Sequence, residues 1–113
     1  MQKDPSRLTP RQTQQLTQRY QELVERLART GAISQGSVMP APPGAWRWTR
    51  KVHAKTVSVA LSAAQAALMK EAIANQRALD QVIDEMREIT QKLILHATPD
   101  VSRRPQSKIP NRA

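Results

Sequence analysis

The side chains with the clearest chemical potential lie between Val38 and Leu61, where four basic residues occur without an acidic one. Arginine and lysine neutralise phosphate groups, and arginine also hydrogen-bonds guanine edges in a DNA groove. Apolar and polar residues alternate in this segment, which predicts strands with one basic, hydroxyl-bearing face. The sequence therefore predicts a nucleic-acid surface formed by Arg47, Thr49, Arg50, Lys51, His53 and Lys55. The alternative is a solvated face over a buried tryptophan pair.

A second basic cluster occupies the C-terminal stretch 99–113, which is rich in proline, arginine and serine. This composition predicts a disordered tail, and such tails add phosphate affinity that is independent of base sequence. The candidate phosphate-binding residues of the tail are Arg103, Arg104 and Lys108. The net charge of the chain is +9, which favours a polyanionic partner: DNA first, with RNA or an acidic protein left open. The same charge is also consistent with a role in solubility alone.

The sequence contains no recognisable motif for catalysis, for a cofactor or for a metal ion. Glycine-rich phosphate loops, nucleophile elbows and metal-ligand spacings are absent, and the chain has no cysteine. The two histidines, His53 and His96, are far apart, and the acidic residues of 62–96 have basic neighbours with which to pair. We therefore expect a protein that is not an enzyme and that holds no cofactor or metal. The lack of cysteine and of a long apolar segment predicts a cytoplasmic protein without a membrane partner.

The element that must position these residues is a long helix predicted over 62–96. The segment has no glycine or proline, and Ser62 with Gln65 forms a capping-box pattern at its start. Its apolar residues recur every three or four positions, which is typical of a coiled-coil seam. We expect this seam to form a homo-oligomer interface through Leu68, Leu79, Val82, Met86, Ile89 and Leu93. Asn75, within the seam, either fixes the register or lies near solvent.

A first helix is predicted over 10–30, beginning with Thr9 as N-cap and Pro10 at the first helical position. Gly31 is placed to end this helix in the left-handed conformation. The apolar residues of the segment repeat the same spacing: Leu16, Tyr20, Leu23 and Leu27. This helix should pack antiparallel along the C-terminal two-thirds of the long helix.

A linker over 31–44 and a β-hairpin over 45–61 complete the predicted domain. Three prolines predict an extended, irregular linker. Trp46 and Trp48 should pack on the alanine-rich start of the long helix, as core residues rather than stacking platforms. The expected fold is mostly α with a β-hairpin, in the order α-β-β-α, with an antiparallel helix pair. A disordered arm over 1–9 and the tail 99–113 would flank a single domain over 10–98.

Short motifs between Leu23 and Leu93 carry a family resemblance. They are the Leu-Val-Glu-Arg-Leu end of the first helix and the segments Gln35–Val38, Arg50–Val59, Leu61–Ala66 and Glu71–Leu79. Together they resemble a small bacterial domain of unknown function that is often found near transposases and other mobile elements. That family usually carries a cysteine-rich insert, which Met39–Ala45 replaces here, so no metal-binding role carries over. The resemblance implies the helix, hairpin, long helix order, and its mobile-element context is compatible with DNA binding.

Two functions follow as expectations. The first is a non-catalytic DNA-binding protein, expected to be dimeric, that contacts phosphates and a groove through its basic hairpin and tails. The second is a coiled-coil interaction module, for instance an adaptor or inhibitor of a mobile-element or other bacterial enzyme, without direct nucleic-acid binding. The first is favoured by the acid-free hairpin, and the second by a long helix that extends beyond its partner helix.

Overall fold

The computed structural model describes residues 7–99 and residue 101, and this part of the chain forms two helices and one antiparallel sheet. The elements are α1 (Pro10–Ala28), β1 (Ser37–Ala41), β2 (Ala45–Val52), β3 (Lys55–Leu61) and α2 (Ala63–Ala97). The fold class is confirmed: the chain is mostly helical, and a hairpin packs on the start of a long second helix. The disordered arm and tail that were predicted fall largely outside the described residues.

Helix α2 begins at a complete capping box. The Gln65 N–H donates to Ser62 Oγ at 3.1 Å, and the Ser62 N–H donates to Gln65 Oε1 at 2.9 Å. The 35 residues of α2 extend roughly 50 Å at about 1.5 Å per residue. The helix ends at Ala97, and its C-cap Thr98 is extended because Pro99 follows it. The Thr98 Oγ1 donates to the Leu93 carbonyl at 3.0 Å.

Helix α1 also begins at a capping box, formed by Thr9 and Gln12. It ends at Ala28, earlier than predicted, because the Arg29 and Thr30 amides bond back to Arg26 and Leu27 in a tighter last turn. The left-handed conformation predicted for Gly31 was wrong, since only Gly36 and Gly44 among the glycines have a positive φ.

The two helices pack antiparallel, as predicted, and their contact forms one half of the core. Leu23 of α1 has no solvent exposure and Ile89 of α2 is 3 % exposed. The Leu8 N–H donates to the His96 carbonyl at 2.9 Å, which ties the chain entering α1 to the end of α2. Arg19 joins the helices by two hydrogen bonds to the Glu85 carboxylate, at 2.7 and 3.0 Å.

The hydrogen bonds from Arg19 lower the pKa of Glu85 below its usual range, and those to Glu85 and Glu22 raise the pKa of Arg19. A carboxylate with a lowered folded-state pKa stabilises the fold above its ordinary pKa, and this contribution disappears as the pH falls through the folded value. We expect Glu85→Gln to lower the melting temperature at pH 7 and to match the wild type well below pH about 4. Glu88→Gln, a change of the same charge at an exposed site, is the control. An effect of Glu85→Gln that is constant across this pH range would contradict the assignment.

The irregular linker predicted over 31–44 was wrong for Ser37–Ala41, which forms the edge strand β1. The sheet order is β1-β2-β3, and Pro40 lies opposite Trp46 of β2. A proline cannot donate to a central strand, but at a sheet edge its missing N–H faces away from the neighbouring strand. Pro42 and Pro43, joined by a cis peptide bond, lie in the turn before β2. The predicted two-stranded hairpin is therefore part of a three-stranded sheet.

One face of the sheet packs on the start of α2 and forms the other half of the core. The Lys70 Nζ lies 3.9 Å from the centre of the Trp46 ring, and Ala66 and Ile73 of α2 are 1 % and 6 % exposed. The small side chain of Ala66 allows the sheet to approach α2 closely. Trp48 lies on the same face, and its Nε1 donates to the Gln35 carbonyl at 2.7 Å. Both tryptophans therefore lie on the face towards α2, as predicted, but they are half-buried, whereas the buried core residues here are Leu61, Ala66 and Ile73.

Asn75, in the middle of α2, hydrogen-bonds the connector between α1 and β1, residues 29–36. Its Nδ2 donates to the Ala32 carbonyl at 2.8 Å, and the Ser34 N–H donates to the Ala72 carbonyl at 3.1 Å. A Cβ at Gly31 would lie 3.1 Å from Asn75 Nδ2. Asn75 is half-buried, and its influence on register or oligomer state stays a prediction.

The turn between β2 and β3 uses two non-glycine residues with positive φ, His53 at 51° and Ala54 at 66°. Two-residue hairpin turns of this hand favour Asn-Gly, because a Cβ is strained there. We expect Ala54→Gly to raise the free energy of unfolding by about 0.5–1 kcal/mol, after the extra flexibility of glycine in the unfolded chain is subtracted. Urea denaturation measures the change. A loss of stability would show that the turn is not strained at this position.

Candidate nucleic-acid interface

The candidate interface is the sheet face turned away from α2, hereafter the outer face. Arg47, Thr49 and Lys51 of β2 alternate with the packed Trp46 and Trp48, so their side chains point to this face. Arg47 and Lys51 are exposed, and they lie about 13 Å apart along the strand at about 3.3 Å per residue. No strand of the sheet contains an acidic residue. The structure thus brings together, on one open surface, three of the residues nominated from sequence.

A row of hydroxyl groups crosses the outer face between the two cations. Ser37 and Ser58 lie directly opposite Thr49, one on each neighbouring strand. Thr49 Oγ1 and Ser58 Oγ are hydrogen-bonded at 3.0 Å. Hydroxyl groups donate to phosphate oxygens, and flanking cations supply the attraction that brings a polyanion to them. Ser37 and Ser58 were not nominated from the sequence, although their alternation within the strands points to the same face.

The far end of the hairpin projects beyond β1 as a two-stranded ribbon. Strand β1 pairs with β2 only as far as Thr49, so Arg50–Val57 has no third strand beside it. Exposed His53 and Lys55 lie at its tip. Lys55 pairs with Val52 and shares the strand face of Val57 and Val59, so its side chain points away from the outer face. A two-stranded ribbon fits the DNA major groove, which is about 12 Å wide.

Arg50 does not belong to the outer face, although the sequence nominated it with its basic neighbours. Its guanidinium Cζ lies 4.0 Å from the centre of the Trp48 ring, on the side of the sheet that packs on α2. The Nη1 atom is buried and has no hydrogen-bond partner among the described residues. Arg50 lines a groove of about 480 Å³ together with Gln35, Trp48 and Asp80. The strict alternation of β2 already separates Arg50 from Arg47 and Lys51.

The tail residues nominated from the sequence, Arg103, Arg104 and Lys108, lie outside the described residues. Arg7 Nη1 donates to the Thr98 carbonyl at 3.0 Å, so the start and the end of the described chain meet at one end of the molecule. This end lies opposite the sheet along α2.

The seam nominated for oligomer contact is largely covered by α1 of the same chain. Ile89 is buried, and Leu79, Val82, Met86 and Leu93 are half-buried along the stripe of α2 that faces α1. Leu68, by contrast, is 69 % exposed. An oligomer through α2 stays a prediction, and of the six nominated residues only Leu68 lies open to a second chain.

Asp80 and Asp84 of α2 have partners on the same helix. Arg87 Nη1 lies 3.2 Å from Asp84 Oδ1, and Gln76 Nε2 donates to Asp80 Oδ1 at 2.8 Å. Within residues 7–99, no cluster of three or more histidine, cysteine, aspartate or glutamate side chains is arranged to hold a metal ion. In the same part of the chain, neither helix is apolar enough over a sufficient length to cross a membrane.

Comparison of the chain with protein-family models, with curated proteins and with solved structures finds no match. The family resemblance noted in the short motifs therefore stays a prediction.

Proposed function

We propose that this protein is a non-catalytic nucleic-acid-binding protein that holds duplex DNA against the outer face of its sheet. The observation that carries the proposal is the placement of Arg47 and Lys51 on one open face whose strands contain no acid. Phosphate contacts from such residues supply most of the affinity of sequence-independent binding.

The residues of the outer face favour a duplex over a single strand. Binding of single strands depends on aromatic side chains that stack on bases. Both tryptophans are occupied on the opposite face: Trp46 lies under Lys70, and the Trp48 indole donates to Gln35. The outer face instead offers cations and hydroxyl groups, which bind the phosphate backbone. Lys55 and His53 at the ribbon tip would enter a groove, with Lys51 at its margin.

Titration of a labelled duplex with the full-length protein at several salt concentrations tests the proposal. Each neutralised phosphate contributes about 0.9 to the slope of log K against log salt, so Arg47, Lys51 and Lys55 predict a slope of about −2.7 or steeper. Binding that is independent of salt, or undetectable near physiological ionic strength, would rule the proposal out.

A second candidate function is a protein-interaction module, which is favoured by exposed apolar side chains on α2. Leu68, Ile94 and Leu95 are 69 %, 59 % and 62 % exposed. Leu68 lies near the start of α2 and the other two near its end, so only a partner helix that runs along α2 would bury all three. In this case DNA binding would be absent, and Leu68→Ser would weaken association with the partner without changing the fold.

A further inference from the structure

The two edges of the sheet differ in how well they are protected from pairing with another chain. Natural edge strands are blunted by shortness, proline or charge. Strand β1 has five residues and contains Pro40, whereas β3 has seven residues, no proline and a single charge, Lys55, at its end. Helix α2 contacts β1 and β2 more extensively than β3. Strand β3 is therefore the unprotected edge.

The hydrogen-bonding groups on this edge follow from the register. Val52 and Lys55 flank a two-residue turn and pair with each other, and in an antiparallel ladder every second residue then bonds to the same neighbour. Lys55, Val57 and Val59 therefore direct their backbone groups to β2. The residues that direct their N–H and C=O groups outward are Thr56, Ser58 and Ala60. None of their amides takes part in a backbone hydrogen bond outside the elements of the described chain.

We propose that the β3 edge binds the β3 edge of a second copy of this chain, antiparallel and centred on Ser58. This register pairs Ser58 with the partner's Ser58 across a two-fold axis, and Thr56 with the partner's Ala60. It uses every outward backbone group of the three residues and makes six hydrogen bonds. The two three-stranded sheets become one continuous sheet of six strands.

The side chains of β3 are complementary to themselves in this arrangement. Val57, half-buried, lies opposite the partner's Val59, which is 41 % exposed in the single chain. Facing β-branched residues stabilise a strand pair, and their side chains lie closest together at positions that share no hydrogen bonds. The antiparallel register also places Lys55 about 20 Å from the partner's Lys55, at about 3.3 Å per residue. A parallel register would set the two charges side by side, and this is why a second copy fits antiparallel.

Such a dimer joins the two outer faces edge to edge, so that Arg47 and Lys51 occur twice on one surface. The dimer itself does not depend on the proposed function, and it is tested without nucleic acid. A failure of DNA binding would therefore leave the edge pairing unaffected, and the reverse also holds.

The test combines sedimentation velocity with amide hydrogen exchange on the full-length chain. The wild type should shift towards twice 12.7 kDa between about 10 µM and about 1 mM, a range typical of small interfaces. The Thr56, Ser58 and Ala60 amides should become protected over the same range. Ser58→Lys should raise the dissociation constant at least about tenfold, because it sets two like charges opposite each other. Ser37→Lys, the same change at the β1 edge, should leave the dimer intact.

Mixing Ser58→Lys with Ser58→Glu should restore a dimer, since opposite charges then meet across the axis. A chain that stays monomeric to about 1 mM would overturn the proposal. A dimer whose β3 amides exchange freely would also overturn the proposal, and so would a dimer that Ser58→Lys does not weaken. In either case the contact between the two copies would lie elsewhere, for instance along α2.

Discussion

Replacement of Gly36 by alanine should lower the free energy of unfolding by about 3 kcal/mol, from overpacking and from backbone strain together. A Cβ at this position would lie 2.3 Å from the Thr49 carbonyl oxygen and 3.0 Å from Trp48 Nε1. The residue also has a φ of +97°, which L side chains rarely adopt. Because the close neighbour is backbone, the strand itself must move to make room.

Gly44 offers a matched control for this substitution. Its φ is +113°, but nothing lies within 4 Å of a Cβ built there. Gly44→Ala should therefore cost only the backbone term, about 1 kcal/mol. The difference between the two variants, measured by urea denaturation, isolates the close approach of the connector to β2. Equal stabilities would show that the sheet accommodates the added methyl group.

The second large effect concerns affinity for DNA. Arg47→Gln with Lys51→Gln removes both cations from β2 on the outer face and leaves the packed face of the strand unchanged. At 0.1 M salt we expect the affinity for a duplex to fall on the order of 10- to 100-fold, because two phosphate contacts are lost. Fluorescence anisotropy with a labelled duplex measures the change.

Two control variants locate the effect. Arg77→Gln with Lys92→Gln removes the same charge from exposed positions of α2 and should change the affinity little. Neutralising Arg103, Arg104 and Lys108 with glutamine tests the tail at full chain length. A loss confined to the tail variant would move the binding surface away from the sheet.

Much of the fold follows from local patterns in the sequence. Capping boxes mark the starts of both helices. In each helix, apolar residues recur every three or four positions, and these two stripes, which contain Leu23 and Ile89, meet in the helix pair. Strict alternation around Trp48 indicates the hairpin and its two faces. These signals are short in range, so a single sequence displays them.

The features that sequence reasoning missed depend on contacts distant in the chain. The presence of Pro40 is incompatible with a central strand, but β1 is an edge strand, which tolerates proline. The edge position of β1 becomes known only from its pairing with β2. Asn75 lies within an apolar stripe, yet it binds the Ala32 carbonyl, which lies 43 residues away in the sequence. Arg50 has the residue type of a phosphate ligand, but its position in β2 places its guanidinium over Trp48.

The most direct test of the central claim is the difference in salt dependence between the wild type and the Arg47→Gln, Lys51→Gln variant. If the outer face neutralises phosphates, the slope of log K against log salt should become shallower by about 1.8, since each lost contact contributes about 0.9. An unchanged slope would mean that neither side chain contacts the backbone of the nucleic acid, and the outer face would not be the binding surface.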